Sequence, residues 1–420
     1  MSDGTTTAAV SGMPTKERFL GVDVARGVAL FAMLAANIWE TIDEDGEPTF
    51  VAMTVEGRSA TLFVLVAGIS LAFLTGGRRP VQGRDRRAAR VGLVVRALLI
   101  GAIGLALGYG SPNLEVILAY YALFFLLAIP LVGLRPRTLA CITAALIVIG
   151  PLVILGATSL DLEPLVEESL TFNDAFTDPI DFLLQLFVTG TFPAVVFMAY
   201  ICAGLAIGRL DLSSTRVATR LLIGGVVLAV VAWVTSSVLL FDLGGLQHLL
   251  PAAASDAAQE GLPTDPATVT NKALWDMEPT ASWWWLTVRS HHACTPIDAV
   301  HTLGTAMAVL GAVLLMTKRV AARHLLWPLG AAGAMTLTIY STHVLVLGSD
   351  VLSDDPLDLY LVSVAAALAF AMLWRHFVGQ GPVERIVGTA AGRARRAAMG
   401  WRWNGDRSDS GSTAGPGRPR

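Results

Sequence analysis

The chain has 420 residues, of which 54% are hydrophobic and only 15% charged, with a mean hydropathy of +0.61. That composition excludes a soluble globular protein and describes a polytopic membrane protein. A net charge of −3 carries little meaning as a total, and three cysteines give no disulfide framework, so the placement of Lys and Arg along the chain holds the information.

A polar, Thr-rich lead (residues 1–18) runs into RFLGVDVARGVALFAMLAANIWE, residues 18–40. Asp23 and Arg26 interrupt its apolar run, so it reads as a retained first helix and not as a cleaved signal peptide. At 100° per residue Asp23, Arg26 and Asn37 share one helix face, with Asn37 roughly 16 Å beyond Arg26. An ionised residue at mid-span costs about 2.5–3.5 kcal/mol, which turns that face inward to partners or a wet cavity.

Ten apolar runs follow the periodicity of spanning helices, near residues 19–39, 59–76, 91–110, 114–134, 138–157, 186–208, 221–240, 298–317, 325–348 and 358–378. The fold class is therefore all-α, a transmembrane bundle of about ten helices with both termini cytoplasmic. The positive-inside rule supports this topology, since alternate loops hold 25 of the 30 Lys and Arg while the intervening outer loops are acidic. Residues 171–190 read as an interfacial or re-entrant helix before the sixth span. The transmembrane domain covers residues 19–378 and includes a long outer loop, 241–297. Within that loop Trp283, Trp284 and Trp285 fit an interfacial belt, with sugar stacking as a second reading, and His291, His292 and Cys294 read as a plain loop sooner than a metal site. Gly101, Gly104, Gly108, Gly204 and Gly208 have the spacing of close helix packing. Residues 379–420 form a basic cytoplasmic tail, suited to anionic headgroups in its first part and disordered in its last.

Depth sorts the intramembrane polar groups into two clusters. The inner half contains Asp23, Arg26, Arg96 and Arg209, an excess of guanidinium groups that suits a phosphate-bearing ligand. The outer half contains Asn37, Arg58, Glu115, Asp298, His301, Tyr340 and His343. Asp298 and His301 are three apart, a spacing at which a carboxylate can orient an imidazole for general-base work. Nucleotide-binding loops, a GxSxG elbow, HExxH and a nucleic-acid face are absent from the sequence, and no metal set is visible.

RFLGVDVARGVALFAMLAANI resembles the first helix of the heparan-alpha-glucosaminide N-acetyltransferase-like membrane proteins, with their R-x-x-x-x-D-x-x-R-G signature. EGRSATLFVLVAGISLAFLTGG and TFPAVVFMAYICAGLAIGRLDL are similar to further helices of that group, and GAMTLTIYSTHVLVL resembles the C-terminal pair of YeiB-like bacterial proteins. The resemblance implies a plasma-membrane acyltransferase moving an acetyl or other acyl group from cytoplasmic acyl-CoA to an outer-face glycan, lipid or small molecule. Asp23, Arg26, Gly27, Asn37, Arg58, Gly208 and Arg209 occupy family-type positions. On this reading Asp23, Arg26 and Arg96 hold the donor, and Arg58 joins them or, with Asn37, binds the acyl carbonyl or acceptor. Asp298 with His301, or His343, deprotonates the acceptor. Family members that acetylate glucosamine carry a histidine in the first outer loop, and residues 40–57 contain none. A transporter or lipid-handling protein is the alternative from another class, with the buried charges lining a proton or substrate path.

Overall fold

The computed structural model describes residues 20–110, 114–160, 162, 169–349 and 355–400; the N-terminal lead and the distal tail lie outside them. Every one of the ten apolar runs contains helix. The principal elements are α1 (Leu20–Ala36), α2 (Arg58–Leu74), α3 (Gly83–Gly108), α4 (Leu118–Ala128), α5 (Pro136–Thr158), α6 (Ala194–Gly208), α7 (Thr215–Ser237), α8 (Pro296–Met316), α9 (Trp327–Gly333), α10 (Thr336–Leu347), α11 (Pro356–Phe377) and α12 (Pro382–Gly400). Among the described residues the only β-pairing is an isolated bridge between Ile42 and Pro48.

Five helices (α3, α5, α7 extended to Asp242, α8 and α11) are long and apolar enough to cross a bilayer. Two bent pairs raise the number to seven: Pro179–Thr189 with α6, turned by 56°, and α9 with α10, turned by 77°. The chain is a multi-pass membrane protein. The 171–190 segment, expected as an interfacial or re-entrant helix, comprises two short helices and a π-turn, of which Pro179–Thr189 forms the first arm of the bent pair with α6.

Sequence decides which helices sit centrally. α2 and α6 are apolar on nearly every face, and they are buried on nearly every face. Their backbones touch: a Cβ on Gly68 would lie 2.5 Å from the Ile201 carbonyl oxygen, and Gly204 faces Leu65 and Gly68 in return. Gly104 likewise lets α3 approach α4, where a Cβ would meet the Ala119 nitrogen at 2.6 Å. Peripheral α7 and α11 instead expose Val, Leu and Trp side chains, as lipid-facing helices do.

Two regions carry structure that the sequence reading did not describe. The first part of the tail forms α12, which packs along α3, and its Glu384 accepts from the Thr338 N–H (3.0 Å) and hydroxyl at the start of α10. A carboxylate there satisfies two donors and complements the helix dipole. The long loop 241–297 contains helices. It folds a helical hairpin, Leu250–Gln259 and Pro266–Trp275, against the first outer loop, with Asn271 donating to the Gly46 carbonyl at 2.9 Å.

Candidate active site

A cavity of about 1290 Å³ enters the bundle from the arginine-rich face. Asp23 and Arg26 of α1, Arg96 of α3 and Glu384 of α12 line it, with Arg78 and Arg79 at its mouth and Phe63, Tyr121 and Tyr340 at its deep end. The inner cluster expected from the sequence thus converges on one space, with Arg209 as the exception. The Arg26 guanidinium donates to Asp23 Oδ1 (3.0 Å), to the Gly333 carbonyl (3.0 Å) and to Ser70 Oγ (2.7 Å). It therefore ties α1 to α2 and occupies the C-terminal carbonyl of α9 where the bent pair breaks. Arg96 is half-buried, and among the described residues no carboxylate pairs with it. Arg209 is buried and donates to the carbonyls of Ala72, Gly77 and Val132 and to Thr75 Oγ1, so it closes the C-terminus of α2.

Arg58 does not line the cavity with the inner arginines. It starts α2 on the opposite face, where its charge acts on Asp298 and Glu56. Tyr340, expected in the outer half, lines the deep end of the inner cavity. Asp298 does not orient His301 through a hydrogen bond; His301 Nδ1 meets the Ala229 carbonyl of α7 at 3.0 Å, an interhelical contact. Asn37 Nδ2, Asp298 Oδ1 and both ring nitrogens of His343 are buried without a protein partner. Such orphans are uncommon, and each calls for an explanation.

The loop that looked plain places a histidine beside the first outer loop. His291 Nε2 lies 3.2 Å from Thr41 Oγ1 in the first outer loop, 3.4 Å from Glu56 and 3.4 Å from Asp276. The Thr41 hydroxyl donates to Glu56 (3.1 Å), which leaves its oxygen to accept from His291 Nε2–H. In the neutral ring the lone pair then sits on Nδ1, which is buried and unpartnered. Asp276 is itself anchored by Lys272, a 1%-exposed ammonium that reaches Asp276 and Glu260 at 2.6 Å each.

Burial pushes the His291 imidazolium down, yet the bond to Asp276 and the charges of Glu56 and Asp276 outweigh it and hold its pKa above 6.5. Burial raises Asp276, but His291 and Lys272 overcome that and hold it well below the usual carboxylate range. Glu56 is raised by burial, and burial with the neighbouring His291 drops His292 to about 3, leaving that ring neutral. His292 and Cys294 are the only non-glycine residues with positive φ among those described, at 55° and 54°. Each such conformation costs of order 1–3 kcal/mol and persists where its surroundings over-determine it. The His-His-x-Cys spacing was the one available sequence signal for this site. Its partners, Thr41, Glu56 and Asp276, are 250, 235 and 15 residues from His291, so no local pattern could connect them.

Among the described residues no three His, Cys, Asp or Glu side chains are grouped to hold a metal ion. No curated protein matches the sequence. The family described as heparan-alpha-glucosaminide N-acetyltransferase, catalytic, matches residues 18–241, just over half the chain. That region contains Asp23, Arg26, Asn37, Arg58 and Arg96, whereas Asp276, His291, Asp298, His301 and His343 follow it. With the helical membrane architecture and the signature helix in agreement, the chain belongs to the heparan-alpha-glucosaminide N-acetyltransferase catalytic family, a family of membrane acetyltransferases.

Proposed function

We propose that the protein transfers an acyl group, acetyl in the first instance, from acyl-CoA bound on the arginine-rich, cytoplasmic side to an amino or hydroxyl group on the outer side. The acceptor is a glycan, lipid or small molecule. One observation carries the reading: the wall between the two polar regions is thin. The cavity follows α2 from Leu74 inward to Phe63, roughly 16 Å of helix at 1.5 Å per residue. Arg58, in the outer cluster, is only five residues beyond Phe63, roughly 7.5 Å, against a bilayer core of about 30 Å. A long thioester arm in the cavity therefore brings its acyl end to the acceptor side.

In this reading Arg96, with the cavity-mouth arginines Arg78 and Arg79, binds the phosphates of the donor, while Asp23 fixes Arg26 at the break between α9 and α10. The acceptor gives a proton to His291 Nδ1 as its nitrogen or oxygen attacks the thioester carbonyl. The C–S bond breaks and CoA leaves as the thiolate. Asn37 and Arg58 supply donors for the oxyanion, and Asp298 positions Arg58. Asp276 and Thr41 hold the His291 tautomer. His301, engaged at Nδ1 with Ala229, is the weaker base candidate; His343, with neither nitrogen partnered, is the competitor.

Detergent-purified protein, labelled acetyl-CoA and a panel of amine and hydroxyl acceptors test the proposal. His291→Ala should bind acetyl-CoA with wild-type affinity and lose transfer, and His343→Ala should keep it. The reverse pattern assigns the base to His343. Protein that neither binds acyl-CoA nor yields an acylated product overturns the function itself.

A further inference from the structure

A second pocket, about 470 Å³, lies beside the mouth of the donor cavity and shares Arg78 with it. Arg78, Arg86, Arg135 and Arg209 line it, and no carboxylate does. Arg78 is bonded to Asp211 at 3.1 Å, outside the lining. Two long helices begin at its wall. α3, 26 residues, starts at Gln82 and Gly83, and α5, 23 residues, starts at Arg135, and neither N-terminus has a side-chain cap. Uncapped first-turn N–H groups and the positive dipole end favour an anion.

Two further features indicate a built site. Arg209 is 5% exposed, and although its terminal nitrogens are consumed by the end of α2, its Nε is buried without a partner. Gly133 leaves room for the Arg86 guanidinium, since a Cβ there would lie 3.1 Å from Arg86 Nη1. Asp85, in the first turn of α3, is exposed and does not line the pocket.

We propose that this pocket binds a phosphate group, with Arg86 and Arg135 as its mobile clamp and the helix starts of α3 and α5 as its fixed floor. Planar guanidinium groups pair with two phosphate oxygens at once, and the backbone donors take the remaining ones. The phosphate comes either from an anionic lipid headgroup or from the 3′-phosphate of a nucleotide such as CoA. The CoA source rests on the acyl-transfer proposal, whereas the headgroup source does not.

The experiment uses the full chain in detergent and in nanodiscs, comparing wild type with the Arg86→Gln, Arg135→Gln double variant. Both side chains are exposed, so the bundle is expected to fold, and thermal unfolding checks this. Calorimetry with CoA and with 3′-dephospho-CoA forms one arm. Native mass spectrometry of retained phosphatidylglycerol forms the other. The double variant should weaken one ligand about tenfold or more, an effect that shrinks as salt rises. Loss of the preference for CoA over dephospho-CoA assigns the 3′-phosphate, and loss of retained lipid with CoA affinity unchanged assigns the headgroup. Retained lipid that depends on both arginines in a protein that never binds CoA upholds the site while the acyltransferase reading fails. A double variant that folds and binds all three ligands as the wild type does overturns the proposal.

Discussion

The two polar regions of this protein are built by opposite means. The inner cavity is made of guanidinium groups on helices, placed by backbone geometry within the membrane: Arg26 on α1, Arg96 on α3 and Arg78 at its rim. The outer cluster is made of loop residues brought together over long sequence distances, with His291, Asp276, Glu56 and Thr41 drawn from two separate outer loops. Helices supply a cationic container that can be read from depth alone, and loops supply titratable groups whose meaning depends on their neighbours. The difference suits a division between holding a donor and moving a proton.

The sharpest break in that comparison is expected from His291→Ala. Transfer should fall by about 10²–10⁴-fold, the usual range for a general base, with acetyl-CoA affinity unchanged. A parallel loss of donor binding would show that the two regions are not separable. Arg209→Ala should cost about 3–5 kcal/mol in thermal or denaturant unfolding, because it leaves several buried carbonyls at the end of α2 unpaired. An unfolding midpoint like that of the wild type would remove its structural assignment. Arg96→Ala should weaken acetyl-CoA about tenfold while single-turnover transfer at saturating donor stays near wild type.

The smallest effect is in pH. The folded state holds the His291 proton more tightly than the unfolded chain, so this contribution to stability is complete below pH 6.5 and is lost as pH rises through the raised pKa. Base catalysis requires the neutral ring, so transfer should increase over the same rise in pH while the unfolding temperature declines. A transfer rate that falls across that range would contradict the assignment of His291 as base.

The bundle was largely legible from residue patterns, because apolar length and loop charge are local properties. The inner cavity was nearly as legible: Asp23, Arg26 and Arg96 share a depth, and depth was enough to bring them to one cavity. Arg209 has the same depth and a different job, since what it does is set by the carbonyls of α2 and nothing in its own segment reveals them. The outer cluster was read least well. Asp298 and His301 have the spacing of a catalytic pair, yet the ring turns to Ala229, because a backbone carbonyl on the adjacent α7 is within reach. His291 and His292 were visible as a cluster, and their significance lay in Thr41 and Glu56, far away in the chain.

The strained turn at His292 and Cys294 bears on how this protein can change under selection. Glycine adopts φ near +55° without penalty, so His292→Gly or Cys294→Gly raises the unfolding temperature where the strain relieved exceeds the packing lost between His292 and Phe192 or around the buried Cys294. The same relaxation frees the adjacent His291 from a single orientation and lowers transfer. Screens for robustness and screens for turnover would then pull these two positions in opposite directions, and a variant library scored both ways would reveal it as an anticorrelation.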